Sequence, residues 1–310
     1  MPETSSAISS TVTTPPEAHM ALERARVLDR SECARALAGV LELRHLWIQR
    51  VNVAPFFTLG AASYLDADPS PEPYRELVQG YNPLLRMEFG WLLDRASRAI
   101  ADSMGLQTEW LEGAALPGFH IYLSDEIFFK SVAEIHFDRQ YEHVDWSNVP
   151  SPDFSSPLSF TLPIDLPETG GGLNTWPVEE EELKRMNAAG IEPPMTFQHY
   201  ELGELVMHSG NLLHQASLGR VMGKDERRIT LQGHGIRSGN RMYLYWGRAE
   251  ERAAGSVMGG DILHPLEDHL PAVVAKQPFA GVSLHCDHGL GRFVLAGCFQ
   301  SLPRRTTREN

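Results

Sequence analysis

A histidine and an aspartate two residues apart, together with a histidine farther along the sequence, could bind a metal ion. In His136-Phe137-Asp138 an imidazole and a carboxylate lie two residues apart, so that in a strand both leave the same face. His214, on a distant predicted strand, can supply a third ligand. Two imidazoles and one carboxylate on one face of an octahedron leave three positions open, which suits a redox-active ferrous ion.

A second motif, Arg228-Ile229-Thr230, predicts a site for a carboxylate next to the metal. In a strand, Arg228 and Thr230 share a face, where the guanidinium can form two parallel charge-assisted bonds and the hydroxyl can add a donor. A buried carboxylate needs such a cation. Arg227 is the alternative, but it lacks a hydroxyl residue two positions on. Arg220, in a loop flanked by glycine, is a third choice.

The His-x-Asp triplet at 136–138 has rivals, because the chain contains 13 histidines and chance supplies about one such triplet. His143-Val-Asp145 is followed by Trp, Asn and Pro residues that predict a loop. His285-Cys-Asp287 has only 25 residues after it, too few for the two further strands that the site requires. The first triplet follows the apolar residue Ile135 and is preferred.

Two histidines compete for the third ligand position. His208 directly precedes Ser209-Gly210-Asn211, a sequence typical of a turn. His214 lies in the strand predicted after that turn. We therefore assign the metal to His136, Asp138 and His214, with His208 as the alternative to His214.

The metal and carboxylate motifs together resemble the Fe(II)/2-oxoglutarate-dependent dioxygenase superfamily. The resemblance covers roughly residues 119–246 and is carried by His136, Asp138, His214, Arg228 and Thr230. Residues 203–214 are similar to the strand-turn-strand that bears the distal histidine in phytanoyl-CoA-hydroxylase-like members. Glu168-Thr-Gly-Gly-Gly-Leu173 resembles the Gly-rich turn of these enzymes.

This resemblance implies a double-stranded β-helix, which is a jelly roll, mainly β with flanking helices. It also implies Fe(II), 2-oxoglutarate and dioxygen, with decarboxylation of 2-oxoglutarate to succinate coupled to oxidation of a substrate. Related halogenases have Gly or Ala where this chain has Asp138, so hydroxylation, or another oxidation such as desaturation, is expected. Residues 58–64, 81–84 and 116–120 more faintly resemble oxygenases and halogenases of free amino acids such as lysine.

The substrate is therefore expected to be a small polar metabolite, such as an amino acid or a derivative. Tyr122 and His120 share one face of a predicted strand; Tyr122 is a candidate for cosubstrate binding, and both residues can equally belong to the core. Candidate substrate contacts are the aromatic and acidic residues His120, Trp246, Asp125, Glu126 and Glu134. The three acids can bind a substrate ammonium or can lie in a solvated loop, and Trp246 can serve simply in core packing.

The pattern along the chain predicts one oxygenase domain over residues 21–310 after a disordered arm at 1–20. Residues 21–116 are expected to form a helical layer, with helices starting near Asp29 and covering about Leu84–Met104. Residues 117–250 alternate short β-rich runs with turn residues, which favours the jelly-roll core. Residues 251–310 are expected to be a C-terminal extension with a helix near 263–274 and a strand near 292–295.

Composition excludes several classes of function. A net charge of -13 and a pI of about 5.4 argue against nucleic-acid binding. No apolar run is long enough to span a membrane, and three widely spaced cysteines indicate neither a disulfide framework nor a zinc knuckle, which favours the cytoplasm. Two other classes remain: a jelly-roll isomerase or hydrolase that uses a metal without 2-oxoglutarate, and a non-catalytic binding jelly roll. The sequence gives no oligomeric state.

Overall fold

The computed structural model describes residues 22–52, 54–66, 71–129, 135–217, 223–246, 284–287 and 292–295. The helices are α1 (Arg30–Glu42), α2 (Ser63–Asp66), α3 (Pro71–Met104) and α4 (Glu180–Ala188). The strands are β1 (Glu23–Arg26), β2 (Ile48–Val51), β3 (Ala54–Leu59), β4 (Gln107–Trp110), β5 (Gly118–Leu123), β6 (Ile135–His136), β7 (Asp153–Asp165), β8 (Leu173–Trp176), β9 (Thr196–Gln198), β10 (Glu204–Ser209), β11 (Leu213–Ala216), β12 (Arg227–Ser238), β13 (Arg241–Tyr245), β14 (Leu284–Asp287) and β15 (Arg292–Leu295).

These strands form two sheets, as expected for a jelly roll. The larger sheet has the order β1-β10-β7-β12-β5-β3-β2, and β13 and β4 continue from β12. The smaller sheet has the order β14-β15-β6-β11-β8-β9. All described pairings are antiparallel except that of β4 with β13. The fold is therefore mainly β with few helices, which confirms the predicted class.

The outer face of the larger sheet is apolar and packs against α1 and α3. Phe119, Ile121 and Leu231 alternate along β5 and β12 and are buried together with Phe89 and Leu92 of α3. Asp29 begins α1 with a capping box, in which its carboxylate accepts from the backbone of Glu32 and the Glu32 side chain accepts from Asp29. This confirms the predicted start of that helix.

The inner face of the larger sheet is polar because the alternate residues of the same strands point there. The register places these inner residues in cross-strand rows: His208, Ser159 and His234; His120, Thr230 and Thr58; Arg228, Tyr122 and Phe56. The smaller sheet carries a separate apolar cluster, with Phe137, Val178, Leu183 and Leu213, on the side covered by α4. The functional residues therefore belong to the inner faces of the sheets.

The structure differs from the sequence prediction mainly in the first third of the chain. The stretch expected to be a helical layer also contains the four strands β1 to β4. Helix α3 begins at Pro71 rather than near Leu84, with Pro83 inside it. The predicted strands that carry His120 with Tyr122, His214, and residues 292–295 are present as β5, β11 and β15.

Some predictions cannot be compared with the structure. The arm at 1–20 and the helix near 263–274 lie outside the described residues. In the part of the chain that is described, no helix has the length and apolar character needed to cross a membrane. The cytoplasmic location stays a prediction.

Candidate active site

The two predicted histidine ligands are direct neighbours in the smaller sheet. His136 ends β6 and pairs with His214 of β11, and their ring centroids lie 4.5 Å apart. Strand pairing, rather than sequence proximity, therefore brings together two imidazoles that are far apart along the chain.

Asp138 completes the group from a position outside any strand, since β6 ends at His136. Its backbone N–H donates to Gly210 O over 2.8 Å, which holds the Asp138 backbone at the turn between β10 and β11. A Cβ at Gly210 would lie 3.0 Å from Asp138 O, so this close approach favours glycine. The prediction that the His-x-Asp pair lies within one strand is thus wrong for Asp138, although its side chain reaches the predicted place.

The three side chains are close enough to share one ion. His136 Nε2 lies 3.4 Å from Asp138 Oδ1, and His214 Nε2 lies 3.4 Å from Asp138 Oδ2. One possible ligand atom from each residue lies within 4.8 Å of the ligand atoms of the other two residues. Within the part of the chain that the structure describes, these three side chains therefore form a group that could hold a metal ion. Two nitrogens and one oxygen fit Fe(II) and leave further positions open.

The environments of His214 and Asp138 favour the proton-free ligand atoms that a metal needs. His214 Nδ1 lies 2.8 Å from Leu212 O, a contact in which Nδ1–H donates and Nε2 keeps its lone pair. Burial lowers the pKa of His214 to about 3, although the charge of Asp138 opposes this shift. Burial also opposes ionisation of Asp138, but His214 and the hydrogen bond with His136 hold the pKa of its carboxyl well below the usual value.

Three residues that the sequence analysis missed surround the Asp138 carboxylate. Ser159 Oγ donates to Oδ2 over 2.5 Å, and Gln140 Nε2 donates to Oδ1 over 2.8 Å. His234 Nε2 lies 3.8 Å from Oδ2, and burial lowers the pKa of His234 to about 4. Of these three residues, only His234 could have been recognised from the sequence, because strand alternation places it on the same face as Arg228 and Thr230.

The rival ligands occupy different positions. His208 lies on β10 rather than in a turn; it is buried, its ring centroid is 4.8 Å from that of His214, and its Nδ1 contacts Ser209 O. Asp145 accepts from the backbone of Ser147 in a partly exposed loop. The side chains of His143 and His285 lie outside the described part of the chain, as does Arg220.

Arg228 and Thr230 are both completely buried on the inner face of β12. Arg228 Nη1 lies 3.5 Å from Thr230 Oγ1, and Arg228 Nε lies 3.4 Å from Gly171 O in the Gly-rich turn. Arg228 Nη2 is buried without a hydrogen-bond partner, and in the described residues no carboxylate pairs with this guanidinium. A buried cation with an open N–H fits a carboxylate ligand.

The alternative residue Arg227 points away from this clamp. Arg227 Nε donates to Asp165 Oδ2 over 2.8 Å at a partly exposed position. Nearby, the Glu226 carboxylate accepts from the backbone of Glu168 over 2.7 Å and from the backbone of Gly223. Glu226 thereby ties the start of the Gly-rich turn to the strand that carries Arg228.

Aromatic side chains border the clamp. The Arg228 guanidinium lies 5.6 Å from the ring centroid of Tyr122 and 5.7 Å from that of Tyr200. Burial raises the pKa of Tyr122 to about 12, so its hydroxyl stays protonated. Tyr122 thus lies beside Arg228, and its role in cosubstrate binding stays a prediction; Tyr200, which also borders Arg228, was not singled out from the sequence.

The substrate candidates separate into buried and exposed groups. His120 is buried next to Thr230 in the register, and its ring centroid is 5.4 Å from that of Trp246. Trp246 packs on Gly118, where a Cβ would lie only 2.0 Å from Trp246 Cζ3. Asp125 and Glu126 are exposed, and Asp125 Oδ1 accepts from Ile127 N over 2.8 Å. Glu134 lies outside the described residues. Substrate contacts at these positions stay predictions.

Neither a protein-family model nor a curated protein matches this sequence. Several solved structures are similar to it. One is an N-substituted L-amino acid dioxygenase from Burkholderia ambifaria AMMD in complex with α-ketoglutarate, with 13% identity, a TM-score of 0.43, and 74% of this chain and 88% of that chain covered.

Two other similar structures are a hydroxylase and an antibiotic-bound protein. The prolyl-4-hydroxylase from Pseudomonas putida has 15% identity and a TM-score of 0.34, over 71% of this chain and 94% of that one. HygX from Streptomyces hygroscopicus, with nickel, 2-oxoglutarate and hygromycin B bound, has 12% identity and a TM-score of 0.39, over 70% of this chain and 83% of the other.

The two mainly antiparallel sheets of this chain are those of a jelly roll. The likeness to these solved structures concerns the fold alone, and the function must be argued from the His-Asp-His group and the clamp.

Proposed function

We propose that this chain is an Fe(II)- and 2-oxoglutarate-dependent oxygenase that hydroxylates a C–H bond of a small polar metabolite, such as a free amino acid or a derivative. The observation that carries this proposal is a possible metal group of two histidines and one aspartate in a fold whose inner face also holds a buried arginine with an open N–H. Neither half of that combination would be sufficient alone.

The residues divide the work between metal and cosubstrate. His136, Asp138 and His214 would hold the iron through two neutral nitrogens and one anionic oxygen. Bound iron, 2-oxoglutarate and dioxygen supply a two-electron oxidation in which the cosubstrate leaves as succinate and carbon dioxide. Arg228 and Thr230 would bind the far carboxylate of the cosubstrate and so orient it towards the metal.

Burial of the clamp gives the arginine its selectivity for a carboxylate ligand. Arg228 and Thr230 are fully buried. A carboxylate that binds there therefore replaces its hydrogen bonds with water by charge-assisted hydrogen bonds with the protein. Tyr122, protonated and stacked on Phe56 with ring centroids 4.4 Å apart, is held as a rigid wall beside the guanidinium. This arrangement favours a dicarboxylate cosubstrate over a neutral one.

Asp138 favours hydroxylation over halogenation, because its carboxylate fills the metal position that a halide would need. In this proposal Asp138→Gly abolishes hydroxylation. Robust chlorination by the unaltered protein would contradict the proposal.

An anaerobic titration tests the reaction class. Fe(II) and 2-oxoglutarate together should give a weak visible charge-transfer band that neither gives alone. A metal-dependent isomerase or hydrolase would bind the metal without such a band, and a non-catalytic jelly roll would bind neither. Absence of the band in the iron-loaded protein would reject the oxygenase assignment.

A succinate-release assay over the free amino acids and their N-acyl derivatives tests the substrate class. At least one compound should stimulate succinate formation above the uncoupled background. If the band forms but none of the compounds stimulates turnover, the amino-acid assignment is wrong while the reaction class stands.

A further inference from the structure

Asp138 is the one member of the His-Asp-His group that no strand pairing holds. His136 and His214 are fixed by the ladder between β6 and β11, whereas Asp138 follows the end of β6. Its backbone is tied to Gly210 by one hydrogen bond, which leaves the two side-chain torsions to be set by other contacts. The orientation of the carboxylate therefore depends on what its oxygens touch.

Two buried donors, one on each oxygen, hold that carboxylate. Ser159 Oγ donates to Oδ2 over 2.5 Å from the inner face of β7, and Gln140 Nε2 donates to Oδ1 over 2.8 Å from the 3₁₀ turn at 140–143. Both residues are more than nine-tenths buried, with 3% and 8% of their surface exposed. The two donors approach from separate elements and act on different oxygens of the carboxylate.

The amide orientation of Gln140 follows from this geometry. An ionised carboxylate only accepts hydrogen bonds, so the amide must turn Nε2 towards Asp138 and leave Oε1 on the other side. Gln140 Oε1 is indeed buried without a hydrogen-bond partner. The Asp138 contact is thus made although it leaves a buried acceptor unsatisfied, which indicates a site requirement rather than simple packing.

We propose that Ser159 and Gln140 are positioning residues of the metal centre, which fix the Asp138 carboxylate in the orientation that binds the metal. This inference rests on the proposed function. A carboxylate has about four lone-pair sites, so one hydrogen bond on each oxygen leaves room for a metal bond. Fixing the carboxylate in advance removes the ordering cost when the ion binds, and outer partners of this kind typically change metal affinity 10- to 100-fold.

A matched pair of variants at position 159 isolates the hydroxyl. Thr and Val have nearly the same shape and both suit a strand, but only Thr can donate to Asp138 Oδ2. We expect Ser159→Val to raise the dissociation constant for Mn(II) by about 10- to 100-fold relative to Ser159→Thr. The measurement is an anaerobic Mn(II) titration followed by electron paramagnetic resonance, with thermal unfolding of each metal-free protein to verify the fold.

Position 140 provides a second test of the same idea. Gln140→Met keeps the length of the side chain without a donor. It should weaken Mn(II) binding by about 10-fold or more. Ser238→Ala is the control, because Ser238 is a buried serine of the same larger sheet whose hydroxyl donates to Pro150 O, remote from the metal group; its Mn(II) affinity should equal that of the unaltered protein.

The outcomes distinguish this inference from the proposed function. If the unaltered protein binds Mn(II) and the Val and Thr variants bind it equally, the positioning role is wrong and the metal centre stands. Equal affinities of Gln140→Met and the unaltered protein would likewise remove Gln140 from that role. Failure of the unaltered protein to bind any divalent metal would overturn the proposed function itself.

Discussion

The two ends of the candidate site are built in different ways. The clamp consists of Arg228 and Thr230, two residues apart on one strand, whereas the metal group takes residues from β6, the loop after it and β11. The clamp is completely buried, and its guanidinium has no carboxylate partner among the described residues. A local motif can thus place two binding side chains together, while a metal group requires the tertiary fold.

Among the changes that compare the two ends, loss of the carboxylate ligand should have the largest effect on binding, because it removes the only anion of the metal group. Asp138→Asn should lower Mn(II) and Fe(II) affinity by more than the roughly 100-fold upper range for outer partners, and should abolish the Fe(II)/2-oxoglutarate band. Asp145→Asn, at the rival His143-Val-Asp145 triplet, should leave both unchanged. The opposite result in an anaerobic metal titration would move the ligand set to the rival triplet.

Removal of the clamp cation should have the next largest effect, and it should act on the cosubstrate alone. Arg228→Met should weaken 2-oxoglutarate binding by about 2–5 kcal/mol, or roughly 30- to 4,000-fold, with metal affinity unchanged. The cosubstrate-free protein should gain stability, by about 1 kcal/mol or more, because a buried cation without a carboxylate partner is replaced by an apolar side chain.

Arg227→Met is the matched control for the clamp. It breaks only the partly exposed ion pair with Asp165, so 2-oxoglutarate affinity should stay within about twofold, and stability should fall by less than about 1 kcal/mol. Calorimetric titration and urea unfolding measure the two effects. Weaker 2-oxoglutarate binding by the Arg227 variant than by the Arg228 variant would reverse the assignment.

Acid should lower the stability of the metal-free protein through the metal end of the site and not through the clamp. This effect should be smaller than those of the substitutions above. Burial lowers the pKa of His234 to about 4 from its ordinary 6.5, so the unfolded chain binds more protons between these values. Stability contributed by neutral His234 is therefore complete above about pH 6.5 and is lost as the pH falls towards 4, on the order of 2 kcal/mol at pH 5. His234→Phe should flatten this decline in urea unfolding, whereas Arg228→Met should not, since the arginine does not titrate in this range. An unchanged slope in the His234 variant would contradict the prediction.

Sequence patterns predicted the parts of the molecule that depend on local alternation. Arg228 and Thr230 follow from the period of a strand, and the core face of α3 follows from helical spacing at Leu85, Phe89 and Leu92. Asp29 marked the start of α1. Each of these features is determined within a few residues, so the sequence alone carries the signal.

The rest of the site depends on contacts that sequence spacing does not encode. Ser159 reaches Asp138 from 21 positions along the chain, through the pairing of β7 with β10 and β12. The start of α3 was predicted too late, because a proline such as Pro83 usually ends a helix. In the structure, Tyr74 and Val78 in the first turns of α3 are buried against Trp246. Tertiary packing therefore outweighs the cost of the proline.

The strand β1, with the sequence Glu-Arg-Ala-Arg, was not predicted because it is charged rather than alternately apolar. Its place explains this composition: β1 is the outermost strand of the larger sheet, and Arg24 pairs with Glu204 across to β10. A shortened form of the protein beginning after Val27 would leave the N–H and C=O groups of β10 open on that side. Such a form should self-associate edge to edge, so engineering of this protein should keep the short charged segment even though it lies apart from the metal group.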